Sequence, residues 1–118
     1  MSDIQPLLKE LHPVSENALR DVQLLFDKYQ NAAFTKRPPE FFALELCGEA
    51  GELANLEKKR WKGKEIEQER LADEAADVLI ALMNYTNARG IDLGSAVRDK
   101  LVRIEEKRLH LEAKGEIY

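Results

Sequence analysis

The sequence has very little cysteine and histidine. It contains one cysteine, Cys47, and two histidines, His12 and His110, in 118 residues. A single cysteine excludes a disulfide within the chain and any zinc or iron–sulfur site built from several cysteines. Two histidines leave little room for a histidine-rich metal site, and we expect neither to have a chemical role. We expect Cys47 to be a small buried residue.

Aromatic residues, turn residues and long apolar runs are also scarce. Aromatics make up 7% of the chain, with six glycines and four prolines, so the composition favours helices over a β-sandwich or barrel. The longest stretch without a charged residue, residues 78–88, is too short to cross a bilayer. The first residues include an early acid and lack a basic-then-apolar signal pattern. We therefore expect a cytoplasmic protein that does not bind membranes.

The charge of the chain argues against nucleic-acid binding. The net charge is −4 and the pI about 5.3, whereas a protein that binds DNA or RNA is usually basic. An acidic protein that handles polyanions needs metal ions to do so. The length predicts one folded domain, residues 1–118.

Apolar residues recur at helical spacing, which predicts an all-α four-helix bundle. Pro13 is expected to end a short extra helix over residues 4–11, and Ser15 to cap the next one. Asp92 is expected to cap the last helix. Gly48 and Gly51 suggest close helix packing, because each costs up to about 1 kcal/mol relative to alanine. The predicted helices cover residues 15–31, 40–61, 67–89 and 92–112.

Two pairs of acids break the expected division between apolar and polar helix faces. Glu49 falls within the apolar arc of the second helix, and Glu52 lies just outside it. Glu74 lies beside the apolar stripe of the third helix, and Asp77 one step further round. If these helices pack antiparallel, the four carboxylates converge. The predicted stripe of the third helix is Leu71, Ala75, Val78, Leu82 and Tyr85.

Four carboxylates at one point need cations or protons. Two like charges 4 Å apart repel by about 4 kcal/mol at an effective dielectric constant near 20. Oxygen ligands favour Mg²⁺, Mn²⁺ or Ca²⁺ over zinc. The alternative is that these are ordinary solvated helix acids, since 22 of the 118 residues are acidic. Glu45 lies on the same helix face and could join the cluster.

Three stretches resemble a known family. They are EAGELANLEKK (residues 49–59), DEAADVLI (73–80) and GIDLGSAVRDK (90–100). Over residues 41–108 the chain resembles the all-α nucleoside triphosphate pyrophosphohydrolases. This is the MazG-like superfamily, which also includes dimeric dUTPases and dCTP pyrophosphatases. The resemblance implies a MazG-like bundle assembled as a homodimer or as a dimer of dimers, a homotetramer.

The same resemblance implies a reaction and a metal. A (deoxy)nucleoside triphosphate is hydrolysed to the monophosphate and pyrophosphate, with Mg²⁺ as cofactor and Mn²⁺ as a possible substitute. The expected role is house-cleaning of non-canonical or surplus deoxynucleotides. Glu49, Glu52, Glu74 and Asp77 match the metal-binding positions. Glu49 and Glu52 are the expected catalytic residues, with Glu52 as acceptor of the proton from the attacking water.

Candidates for substrate binding lie along the same helices. Lys58 or Lys59 is expected to meet triphosphate oxygens, although cations also stabilise the end of a helix. Asn55 continues the acidic face and could contact ribose, base or phosphate. Asn84 could read a base edge. Lys100 matches a lysine that recurs in the family and is expected to contact phosphate.

Aromatic side chains are less informative. Trp61 could stack on a base or pack within the protein. Phe34 and Phe42 are expected in the core. Ala81 stands where many relatives have an aromatic residue, so the sequence does not assign the base, although a pyrimidine deoxynucleotide is favoured.

Two other classes of protein are alternatives to an enzyme of this type. One is a non-catalytic helical module that binds nucleotides or mediates oligomerisation. The other is a carboxylate-bridged di-iron bundle, which requires Glu-x-x-His pairs on its helices. Neither histidine lies three residues after a glutamate in a suitable helix, so the sequence argues against the di-iron class.

Overall fold

A computed structural model describes residues 4–118, and this part of the chain contains four α-helices and no strand. The all-α prediction is confirmed. Within the described range, no helix combines the length and apolar character needed to cross a membrane. The helices are α1 (Ile4–Ala33), α2 (Pro39–Trp61), α3 (Gln68–Ala88) and α4 (Leu93–Ala113).

The described residues form two compact units. One combines residues 4–24 with Asp92–Tyr118. The other, Leu25–Ile91, contains the α2–α3 pair, in which the two helices pack extensively against each other. Residues 62–67 connect these two helices, and so short a connection makes them an antiparallel helical hairpin.

Helix α1 is one continuous helix, so the predicted break at Pro13 is wrong. Ser15 does not cap a helix; its hydroxyl donates a hydrogen bond to the His12 carbonyl at 3.2 Å. A proline inside a helix costs about 3 kcal/mol. The less exposed residues nevertheless continue at helical spacing on both sides of the proline, including Leu8, His12, Ser15, Leu19 and Gln23. The packed stripe outweighs the local cost.

The other helix ends follow the sequence signals. Pro39 is the first residue of α2. Gly63 and Gly90 follow the ends of α2 and α3 with φ of 99° and 68°, a left-handed conformation that glycine adopts without strain. The Asp92 carboxylate accepts a hydrogen bond from the Ser95 backbone N–H at 3.3 Å, as expected of a helix cap.

The packed face of α2 agrees with the prediction. Phe42 and Leu56 are buried, and Leu46, Glu49 and Leu53 are half-buried between them. The spacing of four and three residues places all five on the side that faces α3.

The packed face of α3 contains most of the predicted stripe and extends beyond it. Four of the five predicted stripe residues are half-buried, and Ala75 is exposed. Glu74 and Asp77 are also half-buried, and Ala81 and Asn84 are buried. Both acids therefore lie on the packed side of the helix.

The expectation of burial for Cys47 is wrong, and the close packing suggested for Gly48 and Gly51 is not found among the described residues. Cys47 is exposed. A Cβ atom added to Gly48 or Gly51 meets nothing within 4 Å, so neither glycine serves close packing among the described residues. These residues lie away from α3, where a short side chain makes no contact.

Candidate functional site

Three carboxylates meet between α2 and α3. One carboxylate oxygen from each of Glu49, Glu74 and Asp77 lies within 4.8 Å of the other two. Glu49 comes from the packed face of α2, and the other two acids are three residues apart on the packed face of α3. All three residues are half-buried. The structure therefore brings together three of the four acids that the sequence predicts as ligands.

These carboxylates have no cationic partner in the described chain. Glu49 Oε2 and Glu74 Oε2 are buried and accept no hydrogen bond. None of the ion pairs among residues 4–118 includes Glu49, Glu74 or Asp77. A buried charged oxygen without a partner is unfavourable. Binding of a proton or a cation at this site is therefore favourable.

The pKa values reflect this environment. Burial raises the pKa of Glu49, and the negative charges of Asp77, Glu52 and Glu45 raise it further. Burial also raises the pKa of Glu74. The neighbouring Glu52 has the next largest effect, and Asp77 and Glu49 raise this pKa further. Both acids therefore hold a proton more strongly than an isolated glutamate does. A divalent cation removes the same electrostatic penalty.

Glu52 lies beside the three-carboxylate group but is not part of it. It is exposed, and it is close enough to Glu74 to be the main charged group that raises the pKa of Glu74. Both residues line one groove. The position of Glu52 outside the three-oxygen group leaves its carboxylate free for another role.

A groove with two cationic side chains lies next to these acids. We call it the cationic groove; its volume is about 200 Å³. Lys59 comes from α2, and Arg70 comes from the first turn of α3. The cationic groove is lined by Glu52, Asn55, Leu56, Lys59, Arg70 and Glu74.

A larger groove lies on the other side of the acids, and we call it the aromatic groove. Its volume is about 510 Å³. Phe34, Phe42 and Asn84 line both this groove and an adjoining cavity of about 380 Å³ that reaches Glu45. The buried Asn84 amide is only 8% exposed. Seven further side chains with hydrogen-bonding groups line the aromatic groove: Asp27, Gln30, Asn31, Thr35, Lys36, Arg37 and Asn87.

The two grooves and the acids follow one another along the hairpin. Phe42 precedes Glu49 by seven residues, and Asn84 follows Asp77 by seven. Seven helical residues span roughly 10 Å at 1.5 Å per residue. Arg70 lies seven residues before Asp77, in the opposite direction along α3. The order is therefore aromatic groove, acids, cationic groove.

The predicted substrate-binding residues are divided among several places. Asn55 and Lys59 line the cationic groove, and Asn84 lines the aromatic groove. Lys58 is exposed and lines none of these grooves. Trp61 is 83% exposed, so of its two alternatives the packed one does not hold among the described residues, and stacking on a base stays a prediction.

Lys100 lies apart from the acids, and only one of the two aromatic residues predicted for the core is buried. Lys100 is exposed on α4, in the unit that does not contain the acids. Phe42 is buried as expected. Phe34 is 54% exposed, so the prediction that it belongs to the core is wrong. It follows the end of α1, where fewer neighbours surround it.

Sequence reasoning missed Arg70. Residues four apart on a helix share a face, so its position four residues before Glu74 was the available signal. The aromatic groove had no comparable signal, because its side chains come from three segments of the chain.

No family model, curated protein or solved structure matches the chain. The MazG-like resemblance therefore stays a prediction carried by the motifs of residues 49–59, 73–80 and 90–100.

Proposed function

We propose that this protein is a Mg²⁺-dependent nucleoside triphosphate pyrophosphohydrolase that removes non-canonical or surplus deoxynucleotides. The observation that carries the proposal is the approach of Glu49, Glu74 and Asp77 oxygens to within 4.8 Å, with two buried oxygens lacking a partner. The MazG-like resemblance of residues 41–108 supports the choice of reaction.

The donor set fits a magnesium ion. Glu49, Glu74 and Asp77 offer only carboxylate oxygens, the ligands that hard divalent cations prefer. They would hold Mg²⁺, or Mn²⁺ in its place. When bound, the metal neutralises phosphate charge and lowers the pKa of a coordinated water.

Glu52 is suited to accept a proton from the attacking water. Its carboxylate lies beside Glu74 and outside the three-oxygen group. In the proposed reaction the water oxygen bonds to the α-phosphorus, and the bond from that phosphorus to the α–β bridging oxygen breaks. The bridging oxygen leaves as part of pyrophosphate. The proton displaced from water passes to Glu52 and then to solvent.

The aromatic groove is suited to a nucleoside. Phe34 offers an exposed ring, and Asn84 offers both a donor and an acceptor to a base edge. Stacking of a base on an aromatic ring contributes about 1–3 kcal/mol. The distance of about two helical turns to the acids leaves room for a sugar between base and α-phosphate.

A homodimer or homotetramer is part of the proposal. Helix α1 has a stripe of large apolar side chains that remain 45–66% exposed among the described residues: Leu7, Leu11, Val14, Val22, Leu25 and Tyr29. Contiguous exposed apolar surface of this kind marks interaction sites. A second copy of the chain presents the same stripe and can bury it symmetrically.

The decisive experiment is product analysis. The purified protein is incubated with Mg²⁺ and each common ribo- and deoxynucleoside triphosphate, beside the Glu49→Gln variant. Monophosphate and pyrophosphate that disappear in the variant support the proposal. Diphosphate and phosphate would contradict it, because a different bond is then cleaved. Nucleotide binding without turnover would favour the non-catalytic module.

A further inference from the structure

The end of α2 and the start of its connection to α3 carry a local excess of positive charge. Residues 58–64 contain five lysine or arginine residues and no acid, although the whole chain has a net charge of −4. Three exposed lysines of this run have no carboxylate oxygen within 4.0 Å among residues 4–118: Lys58, Lys62 and Lys64. Arg60 has only Glu57, at 3.8 Å, and both side chains of this pair are exposed. The protein therefore leaves most of this charge without a partner.

The cations are not needed to complete the end of α2. Positive side chains near a helix end often interact with its last carbonyl groups. Three of the last four carbonyl groups of α2 already accept backbone hydrogen bonds of 3.0–3.1 Å: those of Lys58, Lys59 and Arg60. The lysine side chains therefore have no evident structural role at this helix end.

Trp61 lies among these cations and is 83% exposed, more than any other aromatic residue of the described chain. None of the ring contacts or cation–π contacts among residues 4–118 includes it. It lines neither the cationic groove nor the aromatic groove. Lys58 and Lys62 lie three residues before and one residue after Trp61, so the three side chains leave the helix end close together. The surface thus combines an uncovered ring with unpaired positive charge.

We propose that this surface, the basic tip, binds single-stranded nucleic acid. It consists of Lys58, Arg60, Trp61, Lys62 and Lys64. The Trp61 ring stacks on a base, and the cations contact backbone phosphates. Proteins that bind single strands without sequence preference combine these two elements. A duplex is a poorer partner, because its bases are already stacked on one another.

The acidic net charge of the chain does not exclude this partner. Charges more than about 10 Å away are largely screened at about 0.1 M salt. A short strand at the basic tip therefore experiences the local cations more strongly than the distant acids. The inference does not rest on the proposed hydrolysis, because no residue of the basic tip belongs to the three-carboxylate group.

An anionic membrane is another partner that lysine and tryptophan can contact. Attachment to a membrane also requires buried apolar surface. Trp61 is the only exposed large apolar side chain between Leu44 and Leu79. The nearest other large apolar residues are Leu56, which is buried, and Ile66, which is half-buried. One ring suffices to stack on a base but offers little area to a membrane, so the observations favour a nucleic acid.

The test uses intrinsic fluorescence, because Trp61 is the only tryptophan of the chain. The protein is titrated with oligo-dT and oligo-U strands of about 12 nucleotides, in EDTA so that metal-dependent binding at the acids does not contribute. We expect quenching by stacking. Over about 50–200 mM salt, the slope of log K against log salt should be near −3, as about 0.7 per phosphate contact predicts for four cations. The strand with the tighter binding shows whether RNA or DNA is preferred.

Lys62→Gln and Lys114→Gln form a matched pair of variants. Each lysine is exposed, caps the end of its helix and precedes a glycine with positive φ. Binding is followed by anisotropy of a labelled strand. Lys62→Gln should make the salt slope shallower by about 0.7, and Lys114→Gln should leave it unchanged.

Trp61→Ala should weaken binding about tenfold, as for the loss of one stacking contact, with the salt slope unchanged. Trp61→Phe keeps a ring and should retain most of the affinity. The Tm of each variant should stay near the wild-type value, because the changed side chains are exposed.

Several results would overturn the inference. One is the absence of binding by either strand at about 50 mM salt. Others are equal salt slopes for the two lysine variants, or equal affinities of Trp61→Ala and wild type. A duplex that binds as tightly as the single strands would exclude stacking. A blue shift of the Trp61 fluorescence with phosphatidylserine vesicles, without a response to either strand, would assign the basic tip to a membrane instead.

Discussion

The three-carboxylate group of the second unit differs from the paired acids of the first, although the second unit also contains the ion pairs Arg60–Glu57 and Arg89–Glu40. In the unit of residues 4–24 and Asp92–Tyr118, acids are paired with arginines. Arg20 lies 2.9 Å from Asp92, and Arg108 lies 2.6 Å from Glu105. In the Leu25–Ile91 unit, Glu49 and Glu74 have no such partner.

The pKa values differ in direction as well. The hydrogen bond from Arg108 lowers the pKa of Glu105. Burial acts to raise the pKa of Asp92, but hydrogen bonds from Ser95 and Arg20 outweigh it, so that pKa is lowered. The pKa values of Glu49 and Glu74 are raised. Paired acids stabilise the fold, whereas the carboxylates of Glu49 and Glu74 have no cationic partner and are available to bind a ligand.

The largest expected effect is on hydrolysis by the Glu74→Gln variant. It removes a proposed metal ligand, and we expect kcat/KM to fall by about 100-fold or more, since even the loss of outer-shell partners of a metal costs 10–100-fold. The control is Glu105→Gln, which removes an arginine-paired acid of the other unit. It removes an equal charge, and it should lower Tm while kcat/KM stays near the wild-type value. Similar losses of activity in both variants would refute the distinction between the two groups of acids.

A smaller effect is expected in the aromatic groove. Phe34→Ala removes an exposed ring, so KM should rise about tenfold with little change in Tm, as for loss of one stacking contact. Phe42→Ala removes a buried ring of the same groove and should lower the free energy of unfolding by about 3 kcal/mol. Steady-state kinetics and thermal melting separate the two results. A KM unchanged by Phe34→Ala would show that the nucleoside does not bind in this groove.

Gly94 permits a close helix contact in the arginine-paired unit. A Cβ atom at this buried position would collide with the backbone oxygen of Glu16. Gly94→Ala should therefore lower the free energy of unfolding by about 1–3 kcal/mol, the usual cost of overpacking. Gly51→Ala is the matched substitution in open space, and it should be neutral or stabilising because alanine favours a helix. Denaturant melts of the two variants give the comparison directly, and equal stabilities would contradict the contact.

The smallest expected effect is the pH dependence of stability without metal. Glu49 and Glu74 have folded pKa values above the ordinary 4.5. A raised folded pKa gives stability that is fully present below pH 4.5 and is lost as the pH rises through the folded value. In EDTA, Glu49→Gln should therefore gain stability relative to wild type as the pH rises from 4.5 towards neutrality. Glu69→Gln, on the exposed surface of α3, should show no such gain.

Magnesium supplies the complementary measurement. Mg²⁺ should raise the Tm of the wild-type protein near neutral pH and should have little effect on a Glu49→Gln/Glu74→Gln double variant. A similar Tm rise in both proteins would show that the metal acts elsewhere.

Much of the fold could be predicted because the signals were local. Pro39, Gly63, Gly90 and the Asp92 cap act within one helical turn, and the corresponding helix ends agree with the structure within one or two residues. The approach of Glu49 to the acids of α3 followed from its phase on α2. The break predicted at Pro13 was wrong. Proline disfavours a helix interior locally, but the packed stripe of α1 continues on both sides of it.

The remaining features depend on how α3 is rotated against α2. Apolar periodicity placed Glu74 and Asp77 beside the stripe of α3, whereas both are half-buried on its packed face. The packing of α3 against α2 also decides that Arg70 and Lys59 line one groove. The burial of Cys47 was predicted wrongly because composition gives the average burial of a residue type and says nothing about one helix face.

The short connection between α2 and α3 also affects how the chain folds. Glu49 and Asp77 are separated by only 28 positions, and contacts between residues so near in sequence form rapidly during folding. The repulsion among the acids therefore opposes an early step, the closure of the hairpin. If the proposed Mg²⁺ site is correct, we expect screening by Mg²⁺ to accelerate that step.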